Sequence, residues 1–391
     1  MENSTFSALK HDLVEREQQG LLRQRRTIDG PQQPRLLVDG QVVLSFCSND
    51  YLGLASHPQL VAALQRAASV AGVGSGASHL ITGHHRLHHE LEQALASFVG
   101  LPRALLFTTG YMANLGIVPA LVQRHDDVFA DRLNHASLND AVVLSRATLH
   151  RYPHNDMAAL EKLLASSNAT RKLVIADAVF SMDGDIAHVP QLLALCERYD
   201  AWLLLDDAHG FGILGAHGKG VLEHFHLQSS RIIYMATLGK AAGVSGAFVA
   251  GDAVLVKHLL QHARTYIYTT AMPAPLAGAL LASLQLIEQE SWRRTQLAKL
   301  VTQLREAVKF QRWHLAESSS AIQPVIIGSN DEALAASKTL LRHGILVPAI
   351  RPPTVPKGTA RLRITLSAAH TSADIEQLAT ALQAAEAATL S

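Results

Sequence analysis

The chain has 391 residues, 48% of them hydrophobic and 17% charged, enough for a large core and more than one domain. A formal net charge of +1 argues against a general pull toward nucleic acid or anionic membrane. Cys47 and Cys196 are the two cysteines, without CxxC spacing, which argues against a disulfide framework or a zinc knuckle.

The start, MENSTFSALKHDLVEREQQG, is polar and has no apolar signal core, so a cytoplasmic protein is expected. Ser4 is placed as the cap of a first amphipathic helix with Phe6, Leu9 and Leu13 on one side. A strand pair follows, RLLVDG and QVVLSF, turning at Asp39-Gly40. From residue 58 onward, helical segments such as PQLVAALQRAASVAG and VPQLLALCERYD alternate with short apolar strands. The strands are ALLFT, DVFAD, KLVIADAV, AWLLLDD, RIIYMAT and GAFVAGD. Such alternation predicts a mostly parallel sheet covered on both faces. The expected division is an N-terminal arm over 1–57, a large domain over 58–275, connecting helices over 276–309 and a small α/β domain over 310–391. The weakly charged stretch Ala271–Ile287 carries Pro273, Pro275 and Gly278 and reads as a buried helix, not a membrane span.

Ligands of open α/β sheets gather at the carboxyl ends of the strands. Five strand ends here bring polar groups to one edge: Thr108, Thr109, Gly110 and Tyr111; His135; Asp177 and Ser181; Asp206, Asp207 and His209; and Thr237 with Lys240. Each type matches one feature of pyridoxal 5′-phosphate (PLP). A lysine amine forms a Schiff base with the aldehyde, a carboxylate keeps the pyridine nitrogen protonated, and a helix N-terminus binds phosphate. Singly, each has a plainer explanation: a loop lysine is usually solvated, and a strand-end aspartate usually caps a turn, which remains the reading for Asp207. Their convergence favours the cofactor.

Competing motifs lack context. The glycines at 72, 74 and 76 follow a helical pattern, whereas a dinucleotide loop needs a preceding strand. HHRLHHE spaces His84/His88 and His85/His89 at i,i+4, but without HExxH it reads as a solvated or hydrogen-bonded helix face, and no metal ligand is assigned.

FCSNDYLGL, GSGAS, TTGYMAN, LNHASL, FSMDGD, DDAHG, ATLGKAAGVSGA and RPPTVPKGTARLRITL together resemble the α-oxoamine synthase family of fold-type I PLP enzymes, nearly end to end. The resemblance implies an aspartate-aminotransferase-like α/β fold and a PLP-dependent acyltransferase. Its branch would join L-alanine to a pimeloyl thioester, carried on coenzyme A or acyl carrier protein. Glycine- or serine-using relatives and aminotransferases are the neighbouring alternatives; a PLP-binding regulator and a dehydrogenase are more distant ones.

By that resemblance Lys240 is the Schiff-base lysine and Asp206 pairs with the ring nitrogen. His209 and Ser181 lie near the ring hydroxyl, His135 stacks on the ring, and Gly110, Tyr111 and Thr237 hold the phosphate. Arg363, with Asn49 nearby, binds the amino-acid carboxylate, and Arg23 and Thr354 contact the acyl substrate. A homodimer is implied, with Thr269 and Thr270 reaching the partner's phosphate. Asp177 departs from the family, which often carries glutamate there.

Overall fold

The computed structural model describes residues 5–389, and the chain separates into two compact units. The larger takes Asn49–Ala298 with Ser367–Ala369; the smaller takes the chain up to Ser48, Lys299–Leu366 and the stretch from His370. Residues 49–57 and the helix Ala274–Gln289 thus cluster with the larger unit.

The larger unit is built on a seven-stranded sheet. Its strands are β1 (Arg103–Phe107), β2 (Asp127–Asp131), β3 (Thr148–Tyr152), β4 (Lys172–Asp177), β5 (Trp202–Asp206), β6 (Ile232–Thr237) and β7 (Ala247–Gly251). The spatial order is β1-β7-β6-β5-β4-β2-β3. Pairings are parallel from β6 across to β3, while β7 runs antiparallel to both β1 and β6. The sheet is therefore mixed at one strand. The expectation of mostly parallel pairing holds, and all strands except β7 end on one edge.

Central strands carry apolar residues on both faces because helices cover both. Leu203, Leu204 and Leu205 of β5 are each fully buried, worth about 1.5–3 kcal/mol apiece. Strand β3, TLHRY, was not anticipated from sequence. It is an edge strand, half-exposed and rich in polar residues, so it lacks the apolar run that marks the others.

The β6–β7 connection holds itself together. Leu238 N–H donates to the Gly246 carbonyl at 2.8 Å, Val244 N–H to Leu238 at 3.1 Å, and Gly243 N–H to Lys240 at 2.9 Å. Gly243 has φ +70°, and a Cβ there would lie 2.7 Å from backbone atoms of Leu54 and Ala55. The glycine therefore serves close packing of two chain segments and fixes the loop that presents Lys240.

In the smaller unit the expected hairpin forms: Arg35–Val38 pairs antiparallel with Gln41–Ser45, and Asp39 and Gly40 both have positive φ. A second four-stranded sheet pairs Ile322–Gly328 with Ala360–Thr365. The first helix, Ser7–Gln18, buries none of its residues, and Phe6, Leu9 and Leu13 are exposed rather than packed. Its expected cap, Ser4, lies outside the described residues. Among the described residues no helix is long and apolar enough to cross a membrane.

Candidate active site

Lys240 Nζ lies 2.9 Å from His209 Nε2. His209 Nδ1 lies 2.7 Å from the Tyr51 hydroxyl, which donates to Asn49 Oδ1 at 3.2 Å. With the tyrosine proton pointing to Asn49, His209 donates from Nδ1 and accepts from Lys240 at Nε2. Tyr51, buried with 1% exposure, was not singled out from the sequence. It lies nearly 190 residues from Lys240, and NDYLG bears no local sign of the relay.

A second chain of hydrogen bonds starts at Asp206, which closes β5 and is buried. Its Oδ2 accepts from Asn114 Nδ2 at 2.8 Å and its Oδ1 from Ala208 N–H at 3.1 Å. The same Asn114 amide donates to Ser137 Oγ at 2.9 Å, and Ser137 Oγ lies 2.7 Å from His135 Nδ1. Ser137 N–H also points to His135 Nδ1, at 3.3 Å. Nδ1 is therefore an acceptor, and the imidazole carries its proton on Nε2. Burial lowers the His135 pKa; Asp206 opposes that shift and Lys240 adds to it. Asn114, fully buried, is the other participant the sequence did not mark, since on its helix it has the position of a core residue.

Asp177 sits beside Asp206 in the β4–β5 register. Burial, then the neighbouring Asp206 charge, push its pKa well above the usual carboxylate range. Its carboxyl accepts from the backbone N–H of His135, 3.2 Å from each oxygen. Asp207 points away into the fold. Its Oδ2 accepts from the Tyr234 hydroxyl at 2.8 Å and Val221 N–H at 2.7 Å, and burial raises its pKa to about 7. The turn-anchoring role expected for Asp207 is what the structure displays.

Gly110 opens the helix Gly110–Leu121, capped by Thr109, whose hydroxyl accepts from Met112 N–H at 3.1 Å. A Cβ on Gly110 would lie 2.5 Å from Thr237 Cγ2, so only glycine lets this helix start come so close to the end of β6. The free N–H groups of Gly110 and Tyr111 and the Thr237 side chain form an anion cradle. Tyr111 directs its half-exposed hydroxyl to Asp140, and its ring meets His135 edge-on at 6.3 Å. Ser181 lies in the turn after β4, partly exposed. Thr269 and Thr270 follow the exposed Tyr268, and Thr270 bridges to Ser78.

These features fit PLP. A buried carboxylate held by neutral donors would complement a protonated ring nitrogen, a lysine stands on the next loop, and a helix start closed to any Cβ offers free N–H groups suited to a phosphate. The other expected residues belong to the smaller unit. Arg363 is buried on the strand Ala360–Thr365, whereas Arg23 and Thr354 are exposed.

Comparison with known proteins gives a consistent picture. The family described as aminotransferase class I and II matches residues 41–382. An 8-amino-7-oxononanoate synthase of Methylobacillus flagellatus is 64% identical, over 95% of this chain and 94% of its own. That of Nitrosomonas europaea is 60% identical, over 96% and 98%. Among solved structures, a serine palmitoyltransferase from S. paucimobilis with PLP and myriocin bound superposes with a TM-score of 0.92 at 29% identity, over 99% of each chain. The 8-amino-7-oxononanoate synthase of Francisella tularensis superposes with a TM-score of 0.78 at 30% identity, over 89% of this chain and 99% of that one.

Proposed function

The chain belongs to the class I and II aminotransferase family and, within it, to the 8-amino-7-oxononanoate synthases, and from that premise we propose that it condenses L-alanine with a pimeloyl thioester. It has the fold-type I PLP transferase fold and is a PLP-dependent acyltransferase. The products on this proposal are an amino ketone, carbon dioxide and the free carrier thiol. Either coenzyme A or acyl carrier protein would serve as carrier, in a cytoplasmic setting.

Bound PLP supplies an aldehyde that joins to amines and a protonated ring that takes up electrons. Asp206, positioned by Asn114, keeps the ring nitrogen protonated, and the Lys240 amine moves the proton at the alanine Cα. His209 orients that amine through Nε2, and with Ser181 it would hold the ring hydroxyl of bound PLP. His135 would cover one face of the bound ring and exclude water there. Gly110, Tyr111 and Thr237 bind the phosphate. By the resemblance, Arg363 would grip the alanine carboxylate with its planar fork, and Arg23 and Thr354 would receive the acyl chain. In a homodimer, Thr269 and Thr270 would reach the partner's phosphate. What supports the dimer is the exposure of the apolar Val73, Ile81 and Tyr268 on two segments that the Ser78–Thr270 bridge holds together.

The observation that carries the proposal is the 2.9 Å contact of Lys240 with His209 on the loop after the strand next to Asp206. Lys240→Ala should abolish the visible absorbance of the lysine-bound cofactor and the activity together; an unchanged spectrum would overturn the assignment. A panel of amino acids against acyl thioesters, read by carbon dioxide release and product mass, tests the substrates. Preference for glycine or serine would place the chain's activity with the sister synthases instead.

A further inference from the structure

Away from the cofactor site, the histidine-rich stretch that opens the helix Arg86–Val99 sorts its rings into two kinds. His85 and His88 are consumed by the fold. His85 Nδ1 accepts from Leu87 N–H at 3.2 Å; His88 Nδ1 accepts from His85 N–H at 3.0 Å, and its Nε2 donates to the Met272 carbonyl at 2.9 Å. Both nitrogens of His88 are engaged, which dissolves the i,i+4 pairs seen in the sequence. His84, His89 and Glu92 are left as a different set. One ligand-capable atom of each lies within 4.8 Å of the other two, and all three line a cavity of about 430 Å³.

Three features make this set a binding site. His89 and Glu92, three residues apart, share a helix face, and His84 arrives from the turn before the helix. His84 Nδ1 lies 2.9 Å from Nδ1 of His79, which stacks on Tyr266 with centroids 4.9 Å apart. This partner engages Nδ1 and orients the His84 ring, as the outer-shell partner of a metal-bound imidazole does, and among the described hydrogen bonds Nε2 is in none. Glu92 accepts one backbone N–H, from Leu106 at 3.0 Å, and among the described residues it forms no ion pair, although the Arg103 charge acts on it.

We propose that His84, His89 and Glu92 bind one Zn²⁺ ion, with water completing a four-coordinate site. Two imidazoles and a carboxylate are a donor set zinc favours. Ligand bonds of about 2 Å require donor atoms roughly 3.3 Å apart, so the side chains, their donor atoms now within 4.8 Å of one another, must close on the ion. Two groups oppose the ion: Gln93 Nε2 stands 3.1 Å from His89 Nε2, and the exposed Arg103 lines the same cavity. Gln93 must turn aside, and Arg103 repels the cation and limits its affinity. The bound ion would fasten the turn His79–Gly83 to the helix that follows it.

The test is calorimetric titration of the tag-free, metal-stripped holoenzyme with zinc chloride, with Co²⁺ as a visible probe of coordination. One equivalent should bind. His84→Ala, His89→Ala and Glu92→Gln should each weaken it about tenfold or more, with circular dichroism and cofactor absorbance unchanged. Arg103→Ala should tighten it. The stacked pair His258 and His262 is the rival locus. Binding lost in His262→Ala but retained in His84→Ala would overturn the proposal, as would absence of binding at micromolar zinc or a weaker site in Arg103→Ala. Because His84 and His89 are surface rings, failure to fold would not obscure the result.

Discussion

Around Lys240, the direction of each hydrogen bond follows from the residue beside it. Tyr51 donates to Asn49, so His209 donates to Tyr51 and is left to accept from the lysine. Tyr51→Phe keeps the ring's packing and removes the hydroxyl that sets this tautomer. It should lower kcat about tenfold, less than the hundredfold or more expected for losing a direct proton-transfer group, with KM for the amino acid unchanged. Steady-state kinetics would check this, and a wild-type rate would show the relay to be idle. The strand-end placement of Lys240, Asp206, His135 and His209 was legible in the sequence because each stands at or just past the end of an apolar strand. Tyr51 and Asn114 were not, because a buried residue on a loop or helix gives no sequence sign of which polar group it touches.

Elements meet at His154, between the loops after β2 and β4. Its Nδ1 lies 3.1 Å from both oxygens of Asp131, and its Nε2 lies 2.9 Å from Asp185. Burial pulls its pKa down, but the two carboxylates outweigh burial and raise it to about 10. The imidazolium therefore clamps the turn that carries Ser181 to the strand end that leads to His135. Because the folded pKa exceeds the ordinary 6.5, the stability it contributes is complete below about pH 6.5. It is lost as pH rises through about 10. The melting temperature of wild type should thus fall toward that of His154→Ala as pH climbs from neutral to alkaline. A gap that stays constant would remove the clamp's charge from the account.

At the scale of the whole molecule, a nearly neutral chain with two compact units suits small substrates better than a polyanion. Within the smaller unit, burial pushes the Cys47 thiol up, while Ser45 and the charges of Arg26 and Arg363 pull it back. Arg363 is thus a buried cation on its strand. Arg363→Lys keeps the charge and loses the bidentate fork. It should raise KM for alanine about tenfold or more, since a hydrogen bond to a charged group is worth about 1.5–3 kcal/mol. The cofactor absorbance should not change; loss of that band would assign Arg363 to cofactor binding.

By itself the sequence determined the alternation of helix and strand, the edge at which polar residues gather and the lysine that stands just past a strand on that edge. These are local matters: apolar runs of strand length, a lysine on a short glycine-flanked loop, an aspartate closing a leucine run. Only the tertiary structure decided the antiparallel course of β7, the polar edge strand β3, the Asn114 and Tyr51 contacts, and the His84–His89–Glu92 set. Each depends on groups distant in sequence or on which nitrogen of a ring the backbone has already claimed. The glycines around Lys240 show the difference most plainly. Read along the chain they imply clearance for a ligand, but at Gly243 the space is filled by the backbone of Leu54 and Ala55.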